Sequence, residues 1–152
     1  MLGMNKYTRE YIDACRARVD ADLAAYRAVA AITRQQPGGE AALAALETTF
    51  FNNMTMLLDY YFVNRLRTLE GKDGNPLNEV RVNANSLLQN GGVLATTHAV
   101  AMESNKGDKS VKLVPAKTVL GQEIGDQVRI TEAEFVRLSD AYFAEMERRF
   151  AE

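Results

Sequence analysis

Three cations, Arg65, Lys72 and Arg81, flank a Gly-rich turn that leads into a helix start at Asn75-Pro76, and together they could hold an anion. A guanidinium presents a planar fork of donors that matches carboxylate or phosphate. The first turn of a helix adds unpaired N–H groups and a favourable field, here over 75–77, where Asn75 and Leu77 carry an N–H and Pro76 does not. Arg65, Lys72, Asn75 and Arg81 are therefore the candidate ligand-binding residues. Against them stand Glu70, Asp73 and Glu79, which neutralise the same cations, and every residue of the loop 70–81 also has a turn or capping role. Sharper motifs fail on inspection. Gly71-Lys72-Asp73-Gly74 lacks the spacing of a phosphate loop, and Asp73-Gly74-Asn75 lacks the Gly and final Glu of a calcium loop.

Other chemistry-bearing residues are isolated. The sequence has one His and one Cys, which excludes an internal disulfide and a His/Cys zinc site within one chain. Cys15 falls on an apolar helix face and reads as an inert core thiol, and His98 has no identifiable partner. Asn52, Thr55 and Asp59 make a polar strip at helical spacing with no His, Cys or second carboxylate beside them, so a solvated or subunit-facing strip is the favoured reading. Lys106, Lys109, Lys112 and Lys117 could touch a nucleic-acid backbone. They lack interleaved aromatics, and lysines also protect a sheet edge, so nucleic acid is disfavoured as a partner. No catalytic residue, metal or cofactor is assigned.

The elements that must position these groups follow from apolar spacing. Ile12, Cys15, Val19, Leu23, Tyr26 and Ala30 recur at steps of three and four, the period of a helix with one buried face. Gln36-Pro37-Gly38-Gly39 stops it. A second helix, read over 40–69, carries Leu43, Leu46, Phe50, Met54, Leu57 and Tyr61, and Glu47 and Arg65 interrupt that stripe. A buried charge must find a partner, reach solvent or meet a ligand. Met56, Tyr60 and Val63 occupy a separate sector of the same helix and form the candidate oligomer interface.

The predicted architecture is α+β and mostly α, in a single domain over 1–152. It comprises a long antiparallel helical hairpin over 8–69, a helix over 76–90, a small β segment over 93–130 and a C-terminal helix over 132–150. Asn75-Pro76 reads as N-cap and first helical residue, and Asn90-Gly91-Gly92 as a stop. Val111 and Leu113 alternate with Lys112, and Val128 and Ile130 with Arg129, which predicts short antiparallel strands forming a small sheet before the last helix. Thr131-Glu132-Ala133-Glu134 reads as a capping box.

Composition sets the bounds on function. At 152 residues, 47% hydrophobic and 25% charged, the sequence can build an ordinary globular core without staples. A formal net charge of -2 removes any whole-molecule attraction to nucleic acid or anionic membrane. The start MLGMNKYTREY has no apolar core of signal-peptide length, and the stretch 54–66, broken by Asp59, Asn64 and Arg65, is shorter than the roughly 20 residues of a membrane span. The expectation is a cytoplasmic protein with no membrane partner.

The central run Phe62-Val63-Asn64-Arg65-Leu66-Arg67, continued by Glu70 through Arg81, resembles the signature of a small family of uncharacterised, mostly helical bacterial proteins. The similarity extends over the second half of the sequence, through Gly125-Asp126-Gln127-Val128-Arg129-Ile130 and the helix start Thr131-Glu132-Ala133-Glu134-Phe135. It implies no reaction, substrate or cofactor. The favoured function is a non-enzymatic oligomerising or partner-binding module that binds a second copy of itself. Two alternatives stand beside it. One is a small-molecule or anion binder using Arg65 and the 70–81 loop, and the other a weak nucleic-acid binder using the 106–117 lysine hairpin.

Overall fold

Thr8 opens the first helix by accepting a hydrogen bond from the Tyr11 N–H, and α1 then runs over Arg9–Thr33 in a computed structural model that describes residues 3–96 and 111–152. The turn at Pro37 and Gly38 reverses the chain into α2, Gly39–Tyr61. Gly39 sits so close to α1 that a Cβ there would lie 1.7 Å from the Thr33 carbonyl oxygen. Tyr11 donates to the Tyr61 carbonyl, while Tyr26 stacks on Phe50, so the two helices are antiparallel along most of their length.

α2 is shorter than its apolar stripe predicts. It ends at Tyr61, and the backbone turns at Phe62 (φ -126°, ψ 33°) instead of continuing to residue 69. Leaving the helix there lets the Arg65 guanidinium swing inward to Asp59 and Glu70, which lie six and five residues away and which a straight helix could not bring to it. A one-turn α3, Arg67–Glu70, and the loop 71–75 follow, and then α4, Pro76–Gln89, begins at the Asn75 cap. α5, Glu132–Phe150, opens with a full capping box between Thr131 and Glu134. α2 meets α1, α4 and α5, and the common core includes Ile12, Phe51, Leu58, Leu77, Phe135 and Tyr142.

The predicted antiparallel sheet does not form, so the fold is helical where the sequence pattern implied α+β. Among the described residues there is no strand, only isolated bridges joining Met4 to Arg65, Tyr7 to Ala151 and Val93 to Gln127. The alternation at Val111, Leu113, Val128 and Ile130 is nonetheless real, since Val111, Val128 and Ile130 are buried while Lys112 and Arg129 are exposed. Alternation reports that one side of an extended segment is covered. Here helices cover it, and side chains take the place of a neighbouring strand. His98, Lys106, Lys109 and the turn at 104–108 lie outside the described residues, while Lys112 and Lys117 are exposed. Among the described residues no helix is long and apolar enough to cross a membrane.

Residues 4–7 form a strap over one end of the bundle. Met4 N–H donates to the Asn64 carbonyl and the Leu66 N–H donates to Met4, while Tyr7 N–H donates to Phe150 and the Glu152 N–H to Tyr7. The strap thus lies across both the α2–α3 corner and the end of α5.

Candidate functional site

Arg65 is buried, and its guanidinium meets five partners. Nη2 donates to Asp59 Oδ1 (2.9 Å), Glu70 Oε1 (3.3 Å) and the Leu77 carbonyl (3.2 Å). Nη1 donates to the Phe62 carbonyl (3.1 Å) and the Tyr142 hydroxyl (3.3 Å). Nε lies 3.2 Å from Glu70 Oε2 but makes no hydrogen bond. Burial opposes the charge on Arg65, and the Tyr142 oxygen and the carboxylates of Asp59 and Glu70 more than offset it, so the group is held above its ordinary value.

Glu70 is the centre of this node. Arg81 grips it with two hydrogen bonds, Nε to Oε1 (3.0 Å) and Nη2 to Oε2 (2.6 Å), and Asn78 Nδ2 adds a third (3.1 Å). Burial alone would raise the Glu70 carboxyl, but the Arg81 hydrogen bonds and the charges of Arg65 and Arg81 bring it down to about 2. Two cations, Arg65 and Arg81, therefore face two carboxylates, Asp59 and Glu70, and the node is electrically balanced. A carboxylate with so low a pKa is a weak base near neutral pH, and a general base works best with its pKa near the working pH.

Four residues expected to share an anion are thus separated in role. Arg65 and Arg81 converge on Glu70, as described. Lys72 is exposed, and its carbonyl accepts from the Lys112 N–H at 3.4 Å. Asn75 caps α4, with Oδ1 accepting from the N–H groups of Leu77 (2.9 Å) and Asn78 (3.4 Å), so the free donors expected at this helix start already have an acceptor. Gly74, at φ +79°, lets the loop pass the 111–113 segment, where a Cβ would lie 2.4 Å from the Lys112 oxygen.

The polar strip on α2 points inward, contrary to the solvated or subunit-facing expectation. Thr55 bonds to the Phe51 carbonyl (2.8 Å) and Asp59 joins the node. Asn52 behaves as a missing strand. Its Nδ2 donates to the Val128 carbonyl and its Oδ1 accepts from the Ile130 N–H, each at 3.1 Å. α4 holds the neighbouring stretch in the same manner. Glu79 accepts from the Val119 and Leu120 N–H groups, each at 2.9 Å, and Asn83 and Gln122 exchange two amide hydrogen bonds. Glu47 accepts from the Glu132 N–H (2.9 Å), which satisfies one end group of α5.

Sequence reasoning missed Tyr142, Asn83 and Gln122, and it read Glu79 as a counter-charge to the cations where it accepts backbone N–H groups instead. Glu79, Asn83 and Ser86 at steps of four and three beside the apolar positions of α4 were the available signal: a polar line on a helix this deeply packed must bond to something inside. Cys15 is buried as expected.

The outer side of α2 is different in character. Tyr60 is 69% exposed and Val63 47%, with Met56 half-buried beside them. Tyr60 and Val63 form a ridge between two surface hollows. One, of about 580 Å³, is bounded by Met4, Tyr7, Tyr11 and Tyr61, and the other, of about 530 Å³, by Met56, Ala84 and Leu88 between α2 and α4. Among the described residues no group of three or more His, Cys, Asp or Glu side chains is placed to hold a metal ion. Compared with known protein families, curated proteins and solved structures, the chain matches none.

Proposed function

We propose that the protein is a non-enzymatic module that associates with copies of itself through the flank formed by α2 and α4. The observation that carries this reading is the ridge of Tyr60 and Val63, which stands exposed next to Leu88, itself 67% exposed, with a hollow on either side. Contiguous exposed apolar surface on a soluble chain marks a partner site. A ridge beside a hollow is also the shape that two identical surfaces need in order to interlock about a two-fold axis. The anion-binding alternative has less support, because Arg65 and Arg81 spend their donors on Asp59 and Glu70. The buried thiol of Cys15 fits a reducing compartment, in line with a cytoplasmic module.

Sedimentation velocity from low to high micromolar concentration tests the reading. The native sequence is expected to shift from one-chain to two-chain mass, whereas Tyr60→Asp combined with Leu88→Asp stays at one-chain mass. Both positions are exposed, so the variant's melting temperature should remain close to that of the native protein. A single one-chain mass for the native sequence over the whole range overturns the proposal.

A further inference from the structure

The exposed side of α2 carries a regular repeat that reaches well beyond the ridge. Ala42, Leu46, Thr49, Asn53, Met56 and Tyr60, all within α2, follow one another at alternating steps of four and three residues. That mean spacing of 3.5 is the repeat of a helix that packs along its length on another helix. All six are exposed except the half-buried Met56. Phe51 and Leu58 lie on the opposite side of α2, in the core. The helix therefore has one seam inside its own fold and a second, roughly 27 Å long, facing out.

We infer that this outer seam pairs with α2 of a second copy in antiparallel orientation, with Asn53 on the two-fold axis. The inference rests on the self-association reading and names the contact. Reversing the seam about Asn53 sets Leu46 against Tyr60, since both lie seven residues from it, and brings Thr49 near Met56. Each pair joins a smaller side chain to a larger one, which keeps the two axes evenly spaced. A parallel pair would instead stack Tyr60 on Tyr60 at one end and leave Ala42 against Ala42 at the other. The seam also contains no Asp, Glu, Lys or Arg, so it offers a charged partner no counter-charge and does not repel its own image. Asn53 on the axis can exchange amide hydrogen bonds with its copy, as Asn83 and Gln122 do within the chain. A polar residue at one seam position fixes register at some expense of stability.

Cysteine cross-linking reads orientation and register directly. In a Cys15→Ala background, which removes the sequence's one thiol, oxidised Asn53→Cys should give a covalent dimer. Leu46→Cys alone should not, because its own copy lies about 20 Å away in the antiparallel pair, beyond disulfide reach. A mixture of Leu46→Cys and Tyr60→Cys should cross-link to each other. In the otherwise native chain, Asn53→Lys puts two like charges on the axis and should weaken the dimer more than tenfold, a measurement independent of the Cys15 substitution. A dimer by sedimentation in which Leu46→Cys links to itself, or whose dissociation constant is unchanged by Asn53→Lys, overturns this inference and leaves self-association standing. One-chain mass throughout overturns self-association itself.

Discussion

Glu70 and Glu79 are both buried, yet the molecule treats their carboxylates in opposite ways. Glu70 faces the guanidinium groups of Arg65 and Arg81, and its carboxyl is pulled down to about 2. Glu79 meets the Val119 and Leu120 N–H groups, and burial pushes its carboxyl up because those two hydrogen bonds only partly offset the lost hydration. Each glutamate holds an irregular stretch of backbone against the helices, the 62–78 corner in one case and the 118–122 loop in the other. The difference teaches that a buried carboxylate can anchor a loop either by matching full charges or by accepting amide protons, and that the first ties several elements together while the second ties one. Removing an anchor should therefore have consequences of different size and opposite pH dependence.

The largest effect is expected for Glu70→Ala. It leaves Arg65 and Arg81 buried with one carboxylate between them, and breaking a buried pair in this way costs about 3–5 kcal/mol. In a chain of this length that corresponds to a fall in melting temperature on the order of 10 °C, measurable by circular dichroism.

The pH dependence sharpens the contrast. The folded pKa of Glu70, about 2, lies below its ordinary value of 4.5. Its contribution is thus complete above that ordinary value and is lost as pH falls toward 2, a change of about 3 kcal/mol. Glu79 runs the other way. Its folded pKa is raised above 4.5, so it favours the fold most when protonated and loses that advantage as pH rises through 4.5 toward its folded pKa. Urea denaturation across this range should show the stability deficit of Glu70→Gln widening as pH rises, and that of Glu79→Gln narrowing. Parallel trends would break the comparison.

A smaller effect is expected for Asn52→Ala, which strips the Val128 carbonyl and the Ile130 N–H of their partner. Leaving such buried groups unpaired costs about 1–3 kcal/mol. Amide hydrogen exchange should show the Ile130 amide losing protection while the amides of α4 keep theirs.

How far these features can be read from the sequence depends on how local their cause is. The Asn75-Pro76 cap and the Thr131 capping box involve residues within three or four positions, and both stand where the sequence placed them. Arg65 was visible as a charge that had to find a partner, but its partners were not. Asp59 and Glu70 reach it only because α2 stops at Tyr61, and the apolar stripe continues to Leu69 with no local sign of that stop. The sheet was misread for a related reason. Periodicity of two records which side of Val128 and Ile130 is covered, and it is silent on whether a strand or the carboxamide of Asn52 satisfies their backbone. Asn52 in turn was read as a surface residue, since one polar position on a helix wheel does not show that an extended segment 76 residues away will pack against it.

The strap at Met4 and Tyr7 bears on the order in which the molecule assembles. The hydrogen bonds between Tyr7 and Phe150 and between Glu152 and Tyr7 join points separated by nearly the whole sequence. Closing so long a loop forfeits much chain freedom for a few contacts, unless most of the intervening chain is already in place. The strap is accordingly a late event in folding. Until it docks, the corner that holds Arg65 lacks the two backbone hydrogen bonds, one donated and one accepted by Met4, that pin residues 64–66. The residues just ahead of α1 are thus the last to take their place in the fold.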